Sequence, residues 1–309
     1  SSGAGVKVLI ATGIYPPDIG GPAIYSFFLK AELLKLGCEV KIITFGREDY
    51  ADFKNNIISV SRKNNILARY FNFFRQVLRL ADWADIIYTL DLLSACLPAV
   101  LAAARKGKKV VFRTGGDFLW EKACQSNWTE LPLAAYYEAK KNLWEKILLS
   151  LCRWLLKRIN LIIFSTEFQA KIYRKYYKLP EAKIKLVPNA LPEMETVSPS
   201  ADYRQSIIFA GRLIKLKNLE RLIKGFSKVK DDKCQLIIFG QGPERENLVK
   251  LIGKLNLNKR VEIKENIQHQ ELVSFISGCK FFVLPSLTEI SPNLGLECLS
   301  LRKPIILTQ

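Results

Sequence analysis

A chain of 309 residues, 49% of them hydrophobic, is long enough for two domains and rich enough to fill two cores, which excludes global disorder. Its seven cysteines are scattered and form no C-x-x-C pair, which argues against a disulfide framework or a zinc site and for reduced thiols in a cytoplasmic protein. The net charge of +18 requires an anionic partner or a heavily solvated surface.

The opening SSGAG reads as tag residues ahead of a native start, without a signal-peptide pattern. VKVLIAT is then a short strand that ends in the loop GIYPPDIGGP. AIYSFFLKAELLKLG carries Ile24, Phe27, Phe28, Ala31 and Leu34 at helical spacing, and Gly37 stops the helix. CEVKIITF is the next strand. The alternation continues through ADIIYTL, the helix LPAVLAAA, the strand KKVVFRT, and NLIIFST, EFQAKIYRKYY and IKLVPNA. The longest apolar run, residues 92–104, is too short to span a bilayer and contains Pro98, so it reads as a buried helix.

A Pro/Ser/acid-rich break over residues 190–204 separates this half from a second one. There SIIFAGR, QLIIFG, VEIKE, KFFVLPS and KPIILT read as strands, with helices between them. Strands alternating with helices predict parallel sheets covered on both faces. The expected domains are residues 1–195 and 196–309. A doubly wound domain normally adds further βα units after the last strand, so the second domain is expected to be truncated.

Glu289 and Glu297 bracket TEISPNLGLE, with Pro292, Asn293 and Gly295 between them. A strand that breaks at Pro285, crosses a polar loop and enters a helix presents backbone N–H groups at the helix start. Such a start can hold phosphate oxygens, while a carboxylate accepts hydrogen bonds from sugar hydroxyls. The competing reading is a solvated first-turn Glu and a surface Glu. Upstream, Arg212 and Lys217 follow a strand end, where two cations can meet a diphosphate or simply form a basic surface loop. Gly240-Gln241-Gly242-Pro243 is not a dinucleotide fingerprint, because the third glycine would fall at Arg245. It is either a turn lining a ligand or a plain helix entry.

This ordered set resembles family 4 of the retaining nucleotide-sugar glycosyltransferases, which have the GT-B fold of two Rossmann-like domains facing a cleft. The resemblance rests on Gly20-Gly21 after the first strand, Gly37-Cys38-Glu39-Val40, Val187-Pro188-Asn189-Ala190, FAGRLIKLKNLERLI, FGQGPER and the E-x7-E element. It implies an N-terminal acceptor domain and a C-terminal donor domain. Arg212 and Lys217 would neutralise the departing nucleoside diphosphate, with Gly20 and Gly21 approaching it closely. The N–H groups of Asn293, Leu294 and Gly295 would hold phosphate, Glu297 would grip the ribose, and Glu289 would face the transferred sugar. The resemblance further implies a UDP- or GDP-linked donor, retention through front-face attack, and no metal; the chain has no D-x-D triad.

One departure from the family matters. Members often place a His in the N-terminal domain, whereas the single His here, His269, lies at a helix start of the second domain and reads as a surface or capping residue. Asp117, in the Gly115-Gly116-Asp117 turn after KKVVF, is taken as its replacement at the sugar or acceptor hydroxyl, or else as a turn Asp capping the next helix. Arg113 is a second candidate on that side.

The charge excess is densest over residues 140–178. WEKILLSLCRWLLKRINL and the earlier ILARYFNFFRQVLRLADW are basic amphipathic segments. They can lie on an anionic membrane with a lipid-linked or membrane-associated glycan as acceptor, or pack in the core with solvated Lys/Arg faces. The location expected is cytoplasmic, peripheral on the inner membrane face. The rival function is a GT-B module that binds nucleotide or glycan without turnover. No motif supports nucleic-acid binding.

Overall fold

The computed structural model describes residues 5–18, 20–52, 54–190, 198, 203–265 and 267–308. The chain divides into two compact units: Ser1–Leu119 with Lys140–Pro188, and Trp120–Ala139 with Asn189–Gln309. Residues 120–139 thus belong with the C-terminal sequence rather than with the half in which they are encoded. Most of the break at 190–204 lies outside the described residues.

The first unit contains β1 (Lys7–Ala11), α1 (Gly21–Lys35), β2 (Glu39–Gly46), β3 (Tyr50–Asp52), β4 (Ile57–Ser61), α2 (Ile66–Ala81), β5 (Ile86–Thr89) and α3 (Cys96–Lys106). It continues with β6 (Lys109–Thr114), the start of α4 (Phe118–Gln125), α6 (Leu143–Leu156), β7 (Leu161–Phe164), α7 (Glu167–Tyr177) and β8 (Ile184–Leu186). Helix α5 (Leu133–Glu138) lies within the stretch assigned to the second unit. The strands form one sheet in the order β3-β4-β2-β1-β5-β6-β7-β8. Among the described residues only the β3/β4 pair is antiparallel. Strand β1 is buried from Val8 to Ala11, as a strand covered on both faces must be.

The second unit contains β9 (Ser206–Ala210), α8 (Leu219–Phe226), β10 (Gln235–Phe239), α9 (Arg245–Lys254), β11 (Val261–Lys264), α10 (His269–Gly278), β12 (Phe281–Leu284), α11 (Asn293–Ser300) and β13 (Ile305–Leu307). Its sheet is wholly parallel, in the order β11-β10-β9-β12-β13. Leu219, Ile223 and Phe226 of α8 fall on one helical face and are all buried against it. Each such side chain contributes about 1.5–3 kcal/mol.

Strand order locates the ligand edges. In the first sheet β1 lies between β2 and β5, and in the second β9 lies between β10 and β12. The winding direction reverses at each of these points. Loops leaving the adjacent strand ends therefore diverge and open a crevice at the carboxyl edge. Glu289, Glu297, Arg212 and Lys217 lie on the chain segments that follow β9 and β12.

Candidate active site

After β9 the chain runs through a loop with a 3-10 turn at Lys215–Lys217; after β12 it crosses residues 285–292 and enters α11. The two loops are stitched together by their backbones. The Leu287 N–H donates to the Leu216 carbonyl at 2.9 Å. Asn218, held at φ 53°, donates its side-chain amide to the Pro285 carbonyl at 3.1 Å. This stitching delivers Lys217 to Glu289, with Nζ 2.7 Å from Oε1. Ser286 Oγ donates to the same oxygen. The Glu289 side chain is only 12% exposed, so its charge requires these donors. Arg212 is exposed and forms no salt bridge among the described residues.

The Gly240–Pro243 turn holds this loop from beneath. Gly211 N–H donates to Phe239 O and Leu213 N–H to Gln241 O. A Cβ at Gly240 would sit 1.9 Å from the Gly211 carbonyl oxygen, and one at Gly242 would sit 2.4 Å from that of Leu213. Both glycines are needed for backbone-to-backbone approach, and the turn also leads into α9. Segment 120–139 reaches the same region: Leu133 N–H donates to Thr288 Oγ1 at 2.9 Å, and Lys215 Nζ to Asn127 Oδ1.

Helix α11 begins after Pro292 with no side-chain cap. The N–H groups of Asn293, Leu294 and Gly295 are therefore first-turn donors without intrahelical acceptors. Their partial positive charge suits an anion. Gly295 is buried, with an added Cβ 3.0 Å from Pro292 Cγ, so its lack of a side chain also serves packing. The Asn293 side-chain carbonyl accepts from Asn189 at 3.0 Å. One turn further on, Glu297 is 15% exposed, and His269 Nε2 lies 3.1 Å from its Oε2. His269 is over half exposed, as expected of a helix-start residue, but it also touches a predicted site carboxylate. Asn189 and Ser286 are further neighbours that pattern reading assigned no role; the short Ser286-to-Glu289 spacing was the available signal.

The remaining candidates lie in the first unit. Gly20 is the N-cap of α1 and Gly21 its first residue. Arg113, near the end of β6, is buried, with its guanidinium 4.8 Å from the centre of the Tyr25 ring. The Tyr25 and Tyr88 hydroxyls are 3.2 Å apart. Asp117 is fully buried, and its carboxylate accepts from the Tyr173 hydroxyl of α7. The expectation that it faces a sugar or acceptor hydroxyl therefore lacks a surface position. The physical reason is the turn before it. The Gly116 carbonyl accepts from Thr114 Oγ1 at 2.5 Å and from Gln169 Nε2 at 2.7 Å, which draws residue 117 inward onto α7. Burial first, and then the Asp117 charge, push the Tyr173 hydroxyl well above its ordinary pKa. Burial also pushes the Cys152 thiol up to about 12, with Asp117 adding to it.

Among the described residues no three His, Cys, Asp or Glu side chains cluster so as to hold a metal ion. Among the described residues, too, no helix is long and apolar enough to cross a membrane. The seven cysteines form no disulfide.

Comparison with known proteins gives consistent matches in both halves. The family model described as Glycosyltransferase Family 4 matches residues 19–193, and the one described as Glycosyl transferases group 1 matches residues 192–309. An uncharacterized glycosyltransferase of Methanocaldococcus jannaschii is 32% identical over 190 residues, which is 57% of this chain and 46% of that protein. A Campylobacter jejuni enzyme named N-acetylgalactosamine-N,N'-diacetylbacillosaminyl-diphospho-undecaprenol 4-alpha-N-acetylgalactosaminyltransferase is 31% identical over 104 residues, 33% of this chain and 27% of that one. The matched stretches thus span less than half the length of these two relatives. Among solved structures, Anabaena HepE in complex with UDP and glucose superposes with a TM-score of 0.73 at 16% identity, covering 97% of this chain and 80% of that one. That likeness establishes the fold, two α/β Rossmann-like domains of the GT-B class. With one model covering more than half of the sequence and a second continuing where it ends, the chain belongs to Glycosyltransferase Family 4.

Proposed function

We propose that this chain moves a sugar from a UDP- or GDP-linked donor to a glycan or lipid-linked acceptor, with retention of anomeric configuration. The observation that carries the reading is the Lys217–Glu289 pair at the second sheet's switch point, on the loop leading to the uncapped start of α11. The diphosphate would take the α11 N–H groups together with Lys217 and Arg212. These neutralise the negative charge that grows on the leaving group, so the proposal needs no bound metal. When the phosphates draw Lys217 away, Glu289 is released to accept hydrogen bonds from sugar hydroxyls. Glu297 takes the ribose hydroxyls. In the transfer, the bond from the anomeric carbon to the diphosphate oxygen breaks. The acceptor oxygen bonds to that carbon on the same face, and its proton passes to the departing phosphate.

The acceptor side rests on Arg113; Gly20 and Gly21, at the opening of α1, stay on the donor side as residues whose backbone can approach a phosphate closely. An anionic membrane surface is the proposed setting. Helix α6 exposes Leu143, Trp144 and Ile147 beside Lys146, and Arg158 stacks on the exposed Trp154. Helix α2 exposes Leu67 and Phe71, with Arg75 over the Phe71 ring. Arg153 is not part of that surface, because its guanidinium donates to the Tyr176 carbonyl. Apolar and basic side chains presented together suit a bilayer interface. The Campylobacter relative's name includes a diphospho-undecaprenol, which supports a lipid-linked acceptor. Charge reversal at Lys146, Lys157 and Arg158 should abolish sedimentation with anionic vesicles; unchanged sedimentation removes the membrane from the proposal.

A thermal-shift panel of nucleotides and nucleotide sugars tests the donor site, since a ligand bound only by the folded state raises stability by mass action. Glu297→Ala should eliminate the shift given by the best ligand. A shift that survives this change sinks the donor-site assignment. Binding without transfer to any acceptor would instead favour a nucleotide-binding module without turnover.

A further inference from the structure

We infer that His269 is a positioning residue for Glu297, fixing the carboxylate that grips the ribose of the donor. The inference rests on the donor-site reading above. Glu297 sits in the first turns of α11, mostly shielded from water, and a carboxylate so placed needs a hydrogen-bond donor to hold its charge and its direction. His269 supplies one from a different element. It is the first residue of α10, and its Nε2 lies 3.1 Å from Glu297 Oε2. An ionised carboxylate only accepts, so Nε2 carries the proton in this contact. The contact anchors one oxygen. Oε1 carries no protein hydrogen bond among the described residues, and it is the oxygen left for a ligand hydroxyl.

The geometry resembles that of metal-site histidines and catalytic dyads only in its logic: a second side chain limits the rotamers of the first. Without His269 the Glu297 side chain can rotate about its terminal torsions, and the ribose hydroxyls must then order it on binding. The cost therefore falls on ligands that use Glu297 and spares those that do not. His269 is more than half exposed, so replacing it leaves no cavity in the core. Gln at this position can place an amide N–H near the Nε2 position, whereas Ala cannot.

Calorimetry with UDP and GDP, each beside its 2′-deoxy analogue, decides the point on wild type, His269→Ala, His269→Gln and Glu297→Ala. For the nucleotide that binds, His269→Ala should weaken affinity about tenfold, the size of a lost hydrogen bond to a charged group. It should also shrink the preference for the ribonucleotide over the deoxy analogue. His269→Gln should restore both to within about threefold, less than the loss of that bond. In turnover, KM for the nucleotide sugar should rise in His269→Ala while kcat is maintained. If Glu297→Ala abolishes binding but His269→Ala leaves affinity unchanged, the inference is overturned and the donor site stands. The inference is likewise overturned, with the donor site intact, if His269→Ala weakens ribo and deoxy ligands equally and Gln does not rescue. If Glu297→Ala has no effect, or neither nucleotide binds, the donor-site reading fails and takes the inference with it.

Discussion

Lys217 and Glu289 meet at 2.7 Å although 71 residues of chain lie between them, because the loops after β9 and β12 leave neighbouring strands of the sheet. The pair is close to neutral as it stands. A bound diphosphate would replace Glu289 as the partner of Lys217, and sugar hydroxyls would replace Lys217 as donors to Glu289. Lys217→Ala should therefore lower kcat by roughly 100- to 1,000-fold, the range for removing one preorganised charge-stabilising donor. Glu289→Gln should cost less, and the double variant should fall short of the product of the two effects, because residues in contact couple by about 0.5–3 kcal/mol. Steady-state kinetics with the donor identified by the thermal-shift panel gives this cycle; strictly multiplicative losses would show that the two side chains act separately.

The glycine clamp makes a stability prediction. Gly240→Ala drives a Cβ into the Gly211 carbonyl, so the β9 loop must move. The expected loss is about 1–3 kcal/mol, as for other overpacked sites, together with loss of nucleotide binding through the displaced Arg212–Lys217 loop. Gly253, in helix α9, has nothing within 4 Å of an added Cβ. Gly253→Ala should stabilise by about 0.5–1 kcal/mol. Urea unfolding of the two variants side by side separates a specific clamp from a general intolerance of substitution.

The parallel strands, the helix start after residues 285–292 and the loop cations were legible from sequence, because apolar β-branched runs and Pro/Gly breaks are local signals. Strand β4, IISVS, was not anticipated, since a short run between polar turns fits strand and loop alike. Nor did the sequence disclose that residues 120–139 join the second unit, which depends on long-range bonds such as Leu133 to Thr288. His269 escaped for the same reason: its distance to Glu297 is set by how α10 and α11 pack, and no spacing rule encodes it. Asp117 was placed at the correct strand end, but the inward curl of its turn depends on Gln169, over fifty residues away.

Burial of Asp117 against Tyr173 predicts a structural phenotype. Tyr173→Phe removes one hydrogen bond from a buried carboxylate and should cost about 1–3 kcal/mol in stability. Donor affinity in the folded fraction should be unchanged. The opposite pattern for Asp117→Asn, a large fall in kcat with melting temperature intact, would return Asp117 to the reaction centre.

Asp91 supplies the pH prediction. It follows β5 at the first sheet's switch point, where its Oδ2 accepts the Gly13 N–H at 2.5 Å and the Thr12 hydroxyl at 3.4 Å. Burial raises its pKa, and these two hydrogen bonds oppose the rise without cancelling it. The folded carboxyl therefore binds its proton more tightly than the unfolded one. Its contribution to stability is complete below the unfolded value of about 3.9 and is lost as pH climbs through the folded value. Asn has no such titration and keeps an oxygen to accept from Gly13. The stability of Asp91→Asn relative to wild type should therefore improve as pH rises from about 4 towards neutrality, because every other carboxyl is common to both proteins. Denaturant titrations at a series of pH values measure that difference, and a flat difference across the range would show that Asp91 ionises as freely in the folded chain as in the unfolded one.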